Sequence, residues 1–221
     1  MGLLRWKLVS VIKDLVVIGA GDFGREVIWL TERINQIQPA WNILGFVDDA
    51  DVGTEVGGYQ VLGDIDWLIA YEKPICAVCA VANGKSREQI CNRLITNLQI
   101  EMATLIDPAA ICGKNSNIGE GSIVCAGSIL TVDVQLGKNC IINLNSTIGH
   151  DTILESYCTL HPGANVSGKV VVGARSLLGT GTRVIQGLSI AADVVLGAGT
   201  VVIRDIKESG TYVGVPARKI K

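Results

Sequence analysis

Long apolar runs, basic blocks and histidines are all scarce in this sequence, and each scarcity excludes something. No stretch of the 221 residues approaches the ~18 consecutive apolar residues that a membrane-spanning helix needs. Mean hydropathy is nevertheless +0.40, so the apolar residues are spread out as in a packed core. Basic residues neither cluster nor interleave with aromatic ones, and the net charge is −2, which argues against nucleic acid as a partner. Residues 1–13 have no signal-peptide core or cleavage site. Seven cysteines, an odd number without framework spacing, lead us to expect reduced thiols and a cytoplasmic location. Only two histidines, His150 and His161, are present, one short of the three protein ligands usual for catalytic zinc. That leaves a metal centre only if two chains contribute to it. Nucleophilic catalysis of the Ser-His-Asp type finds no G-x-S-x-G elbow.

What is present is a repeat. From Ile118 to Val202 every sixth residue is Ile, Leu or Val, fifteen in a row without a slip. Four residues after each, the side chain is usually small, as at Ser122, Ser128, Cys140, Ser146 and Thr152. A period of six fits neither a helix nor an alternating strand. It is the pattern of a parallel β-helix of hexapeptides, in which the aliphatic residue points inward and the small one fits a tight corner. Fifteen hexapeptides amount to five coils if three close a turn. Cys140 and Cys158 are then eighteen residues, one coil, apart and read as corner filler.

The preceding segment reads differently. Residues 14–19 form an apolar strand that runs into Gly19-Ala20-Gly21-Asp22-Phe23-Gly24, a complete G-x-G-x-x-G. Phe23, Val27, Leu30 and Ile34 then mark one face of a helix. Strand, glycine turn and helix in that order let backbone N–H groups meet a phosphate at the helix N-terminus. A second strand, residues 43–47, ends in Asp48-Asp49, placed where an acidic residue would meet a ribose. The alternative is a tight turn with a solvated acidic loop. Asp64 caps a short helix, residues 75–81 form a buried strand, and Ser86 with Gln89 suggests a capping box before a helix whose apolar face is Ile90, Leu94 and Leu98. Residues 102–106 read as a last strand. Cys76 and Cys79 form C-x-x-C inside a strand, where residues three apart face opposite sides, so they read as buried structural thiols. The unit is short for a dinucleotide domain, and a nucleotide diphosphate suits it better than NAD.

The domains expected are an extension (1–13), a small Rossmann-like α/β unit (14–103), a β-helix (104–207) and a C-terminal tail (208–221). In the tail Pro216 ends the repeat, and Arg218, Lys219 and Lys221 either face a phosphate or are solvated.

His150 stands two residues after the inward Ile148, near a corner, with Asp151 beside it. Histidine is the side chain best suited to take a proton at neutral pH, and an adjacent carboxylate can orient it. Taken with the glycine-rich unit, the repeat, Pro162-Gly163-Ala164 and Gly214-Val215-Pro216-Ala217, this His-Asp block resembles one family over residues 14–220. That family is the bacterial sugar acyltransferases related to sialic-acid O-acetyltransferases and nucleotide-activated 4-amino-sugar N-acetyltransferases. The resemblance implies a left-handed β-helix, an exception to the usual right-handed crossover. It implies a homotrimer with active sites between neighbours, acetyl-CoA as cosubstrate and no metal. The N-terminal unit would hold a nucleotide-linked sugar, with Gly21, Asp22 and Phe23 near the diphosphate, Asp48 and Asp49 near base or ribose, and Val81 lining the site. His150 would be the general base, Asp151 would strengthen it, Gly168 would offer its N–H to the thioester oxygen, and Thr180 and Ala198 would contact the CoA arm. Where several members carry a second histidine nine residues after the base, this chain has Thr159, with His161 two residues on. Either could contact acetyl-CoA on this reading, or His161 could simply pack and cap.

The implied reaction is direct acetyl transfer from acetyl-CoA to a sugar amine. Three alternatives stay open: O-acetylation of a sialic acid or other glycan hydroxyl, a non-catalytic scaffold that binds sugar nucleotides, and an NAD-dependent enzyme with a repeat domain for oligomerisation.

Overall fold

The computed structural model describes residues 12–50 and 52–221, so the expected extension lies almost wholly outside the described residues. The α/β unit contains β1 (Lys13–Ile18), α1 (Asp22–Ile37), β2 (Trp41–Val47), β3 (Glu55–Val56), β4 (Tyr59–Gly63), α2 (Ile65–Ile69), β5 (Ile75–Cys79), α3 (Gly84–Leu94) and β6 (Ile100–Met102). Its sheet has the order β3-β4-β2-β1-β5-β6, with all pairs parallel except β3 with β4. β1, at the centre, is apolar and covered on both faces, which explains its unbroken burial from Leu15 to Ile18. Cys76 packs with one face of the sheet and Cys79 with the other, the alternation a strand imposes.

Three local readings change. The cap of α3 is Asn83, whose side chain accepts from the Ser86 N–H at 3.0 Å, so Ser86 lies inside the helix and no capping box forms. The helix ends at Leu94, leaving Leu98 94% exposed and off the apolar face. The hairpin of β3 and β4 was unforeseen, although Gly57 and Gly58, at φ 59° and 87°, supply the two left-handed residues its tight turn requires.

From Leu105 the chain winds as a parallel β-helix with three faces of eight, six and five strands. Thirteen of the fourteen periodic residues from Val124 to Val202 are at most 2% exposed, and Leu136 is 4% exposed. Ile118 packs against the same core at its open end. Successive coils pair residue i with i+18, as in Ile129 with Thr147 and Thr147 with Asn165. From Asn115 to Gly199 each corner is turned by a left-handed residue, and these residues stack in ladders one coil apart. One ladder is Asn115, Asp133, Asp151, Lys169 and Gly187; another is Gly121, Asn139, Tyr157, Arg175 and Asp193. Cys140 and Cys158 fill the corner slot, fully buried, with their thiols directed at the carbonyls of Glu155 and Gly173.

The strand read over residues 102–106 divides: Ile100–Met102 closes the α/β sheet, and Leu105–Ile106 forms the first rung of the β-helix. The tail is not loose: Gly210–Val213 pairs with Val194–Leu196, and Arg218–Lys219 folds back on it antiparallel. The α/β unit covers the first face of the β-helix, where Leu105, Ile123 and Ile141 join Leu15, Val17, Val27 and Phe46 in one apolar cluster. Arg33 of α1 grips Asp107 through two hydrogen bonds at 2.7 and 3.1 Å, and the Asp107 side chain is wholly buried. Among the described residues no helix is long and apolar enough to cross a membrane.

Candidate active site

The sheet order reverses between β1 and β5, and a small cleft opens there at the carboxyl ends of the strands, where α/β sheets bind ligands. Ile18, Gly19, Asp48, Asp49, Ile65 and Val81 line it. A Cβ on Gly24 would lie 2.0 Å from the Gly19 carbonyl oxygen, so only glycine allows α1 to start this close to the turn. Gly21 is the helix cap and provides no side-chain acceptor, which leaves the first-turn N–H groups at Asp22 and Phe23 open to an anion. The Asp22 carboxylate pairs with Arg25 at 2.5 Å.

The two acidic residues diverge in role. Asp48 accepts from the Ala20 N–H at 2.7 Å through one oxygen and from the Ala50 N–H at 2.9 Å through the other. It therefore fastens the glycine turn to the end of β2. Asp49 is exposed and, among the described residues, accepts a long 3.3 Å bond from the Ile65 N–H, so it is the freer of the two for a hydroxyl or amide of a ligand.

The second cluster lies at the corner between the second and third faces. His150 directs Nδ1 at Asp151 Oδ2, 2.8 Å away, and its side chain is 48% exposed. An acceptor at Nδ1 holds the ring proton there and leaves the Nε2 lone pair free. The imidazole lies over Gly168, where a Cβ would come within 2.5 Å of Nε2. The Lys169 N–H donates to the His150 carbonyl at 2.8 Å, whereas the Gly168 N–H has no hydrogen-bond acceptor among the described residues. A proton acceptor and an unengaged N–H donor thus stand together one coil apart, the pairing that acyl transfer requires.

His161, Thr180 and Ala198 lie elsewhere, stacked along the corner between the first and second faces at successive coils. Thr180 and Ala198 are exposed; His161 is half-buried, and that burial lowers its pKa below the usual value, which keeps the ring neutral at pH 7. The two histidines therefore occupy different corners of one chain.

Thr159 does not fit an acetyl-CoA contact. It is 1% exposed, beneath α3, and its hydroxyl donates to the Ala82 carbonyl at 2.8 Å while accepting from Arg87 at 3.0 Å. Sequence reasoning also missed Arg87, which is completely buried. The signal was there: Arg87 precedes Ile90 by three and Leu94 by seven residues, on the face whose spacing already pointed inward.

Comparison with known proteins supplies relatives for both halves of the chain. The PglD N-terminal domain family matches residues 14–94. A GDP-perosamine N-acetyltransferase of Escherichia coli O157:H7 is 34% identical over 110 residues, which span 49% of this chain and 49% of that protein. The chain thus matches about half the length of this curated relative. Over nearly the full chain, the acetyltransferase domain of PglB from Neisseria gonorrhoeae FA1090 superposes with a TM-score of 0.86 at 30% identity, covering 94% of this chain and 100% of that one. PerB from Caulobacter crescentus, solved in complex with CoA and GDP-perosamine, superposes with a TM-score of 0.85 at 29% identity, covering 95% and 98%.

Proposed function

Because the chain belongs to the bacterial sugar acyltransferases that join a PglD-type N-terminal domain to a hexapeptide-repeat β-helix, we propose that it moves acetyl from acetyl-CoA to the amino group of a nucleotide-linked amino sugar. The observation that carries this reading is the His150 ring, with Nδ1 held by Asp151 and Nε2 free beside the unengaged Gly168 N–H. The choice of an amine over a hydroxyl draws on the relatives, one named a GDP-perosamine N-acetyltransferase and another solved with CoA and GDP-perosamine.

In the proposed reaction His150 Nε2 takes the proton of the sugar amine as its nitrogen attacks the thioester carbonyl. Asp151 favours the imidazolium that forms. The Gly168 N–H meets the oxygen on which negative charge grows, a contribution of about 3 kcal/mol. The new C–N bond replaces the C–S bond, and CoA departs as thiol or thiolate. No covalent enzyme intermediate is required. The α/β unit supplies specificity: the amides of Asp22 and Phe23 face the diphosphate, and Asp49 meets base or ribose.

The α/β unit, which carries the acceptor cleft, covers the first face, His150 occupies the far corner, and His161, Thr180 and Ala198 mark a third location. A site built from all of them needs more than one chain, and a homotrimer supplies it. Faces beside the His150 corner favour this arrangement, because Ile129, Val132, Ile153 and Val171 are 36–46% exposed there, an apolar surface suited to a neighbour. In the trimer His150 and Gly168 of one chain would meet the CoA arm lying along the His161–Ala198 corner of the next.

Acetyl-CoA turnover, followed by thiol release across a panel of nucleotide-linked 4-amino sugars and their 4-hydroxy counterparts, tests the proposal. Turnover confined to the amino sugars is expected. Turnover confined to hydroxyl acceptors would move the reading to O-acetylation, and nucleotide binding without turnover would move it to a scaffold.

A further inference from the structure

Arg87 is a buried cation with no carboxylate partner among the described residues. Its guanidinium saturates on oxygens that belong to both halves of the chain. Nε donates to the Asn139 carbonyl at 2.8 Å. One terminal nitrogen donates to the carbonyls of Val81 and Ala82. The other donates to the Tyr157 carbonyl at 2.7 Å, the Cys158 carbonyl at 3.2 Å and the Thr159 hydroxyl at 3.0 Å. Thr159 closes the ring by donating to the Ala82 carbonyl.

Two of these acceptors lie in the loop that follows β5. Val81 lines the acceptor cleft, and its side chain comes within 3.6 Å of a Cβ built on Gly19. Tyr157, Cys158 and Thr159 lie in the coil that follows His150, and Asn139 stands one coil before Tyr157. The seat is tight, because a Cβ on Gly84 would lie 2.4 Å from the Tyr157 oxygen and 2.9 Å from the Arg175 Cα. Tyr157 and Arg175 turn this corner with φ of 66° and 60°, a conformation unfavourable for such side chains. Glu88 of α3 adds a contact to Arg175 at 3.5 Å, and Arg175 also grips Asp193 at 2.8 Å.

Fastening two packed units needs only apolar contact, and burying an unpaired charge is costly by comparison. A guanidinium offers what apolar contact lacks: five N–H groups in a rigid fork that fix the loop and the coil in one geometry. We propose that Arg87 is a positioning residue for acetyl transfer. It holds the Val81–Ala82 edge of the acceptor cleft at a set place against the coil of Tyr157 to Thr159, and so sets where the acceptor atom arrives relative to the base. This role rests on the acetyl-transfer reading above. Thr159 is the second half of the same device, a bridge between loop and coil.

Arg87→Lys and Thr159→Val test it in the full-length protein. Lysine cannot reach six acceptors with one nitrogen, and valine keeps the shape of threonine without its hydroxyl. For each variant, thermal melting, kcat and KM for the best amino-sugar nucleotide, and the Kd of acetyl-CoA by calorimetry are measured well below the melting temperature. Expected are a loss of about 10- to 100-fold in kcat/KM for the sugar nucleotide, as displacement by about an ångström produces, with the acetyl-CoA Kd unchanged. Lowered melting with wild-type kinetic constants would reduce Arg87 to a fastener and overturn the proposal. So would a Thr159→Val protein whose only defect is a weakened acetyl-CoA Kd. If Arg87→Lys does not fold, Thr159→Val decides alone. Absence of turnover in the wild type would overturn the acetyl-transfer reading and this role with it, a failure distinct from one seen only in the variants.

Discussion

His150 Nδ1 and Asp151 Oδ2 are 2.8 Å apart although the two residues are adjacent in the chain. Neighbours in an extended strand point to opposite sides, so this contact depends on the corner, where Asp151 takes a left-handed φ of 58°. His150→Ala is expected to lower turnover by about 10²–10⁴-fold while acetyl-CoA binding, read by calorimetry, stays at the wild-type value. Asp151→Asn keeps a residue that tolerates the corner and removes only the charge, so it should lower kcat with little change in melting. Asp151→Ala adds backbone strain of about 1 kcal/mol and should also lower the melting temperature. Wild-type kcat in Asp151→Asn would remove the carboxylate from the mechanism.

Gly168 is constrained by its neighbour and not by its backbone angle. A Cβ there would lie 2.5 Å from His150 Nε2. Gly168→Ala should therefore push the imidazole aside and lower turnover by about 10²-fold, while the β-helix melts near its normal temperature. The measurement is kcat beside differential scanning calorimetry. An active Gly168→Ala enzyme would mean that the ring works from another position.

Gly24 separates acceptor binding from acetyl-CoA binding. Its missing Cβ leaves room for the Gly19 carbonyl at the glycine turn. Gly24→Ala is expected to weaken GDP or UDP binding at least tenfold, about 1.4 kcal/mol, and to leave acetyl-CoA binding untouched. Isothermal titration with each ligand checks it; equal losses for both would indicate general unfolding instead.

Burial lowers the pKa of His161, so the folded chain gives up this proton at a lower pH than the unfolded chain does. Between the two values the unfolded state holds more protons, and stability falls as pH drops through the ordinary histidine pKa toward the folded one. Melting temperatures measured from pH 7.5 to 5.5 should fall less steeply for His161→Gln than for the wild type. Identical slopes would show that other groups set the acid dependence.

The β-helix was legible because one physical demand, an inward aliphatic side chain, recurs with an unbroken period. The strand, glycine turn and helix at residues 14–37 were legible for a similar reason, since close backbone approach demands glycine at fixed offsets. What stayed hidden depends on contacts distant in sequence. Nothing around Thr159 announces that α3 lies on it, 72 residues removed, or that Arg87 donates to its hydroxyl. The cap of α3 is Asn83 and not Ser86, because the Asn83 side chain accepts from the Ser86 N–H, a local cap that the Ser86–Gln89 spacing drew attention away from. The strands of the tail, Gly210–Val213 and Arg218–Lys219, stayed hidden because they abandon the period while staying in the first face.

Corners stacked every eighteen residues make length in this chain a quantised property. Losing one residue between Ile118 and Val202 would rotate every later aliphatic side chain out of the prism, a frameshift in three dimensions. Losing eighteen would delete one coil and restore the frame. A whole coil removed beyond Lys169 would leave His150 and Gly168 facing each other as before, and would shorten only the corner along which the CoA arm is proposed to lie. Natural variation in such a chain is therefore expected as whole coils or as loops outside the frame, with the base and its donor carried unchanged from one length to the next.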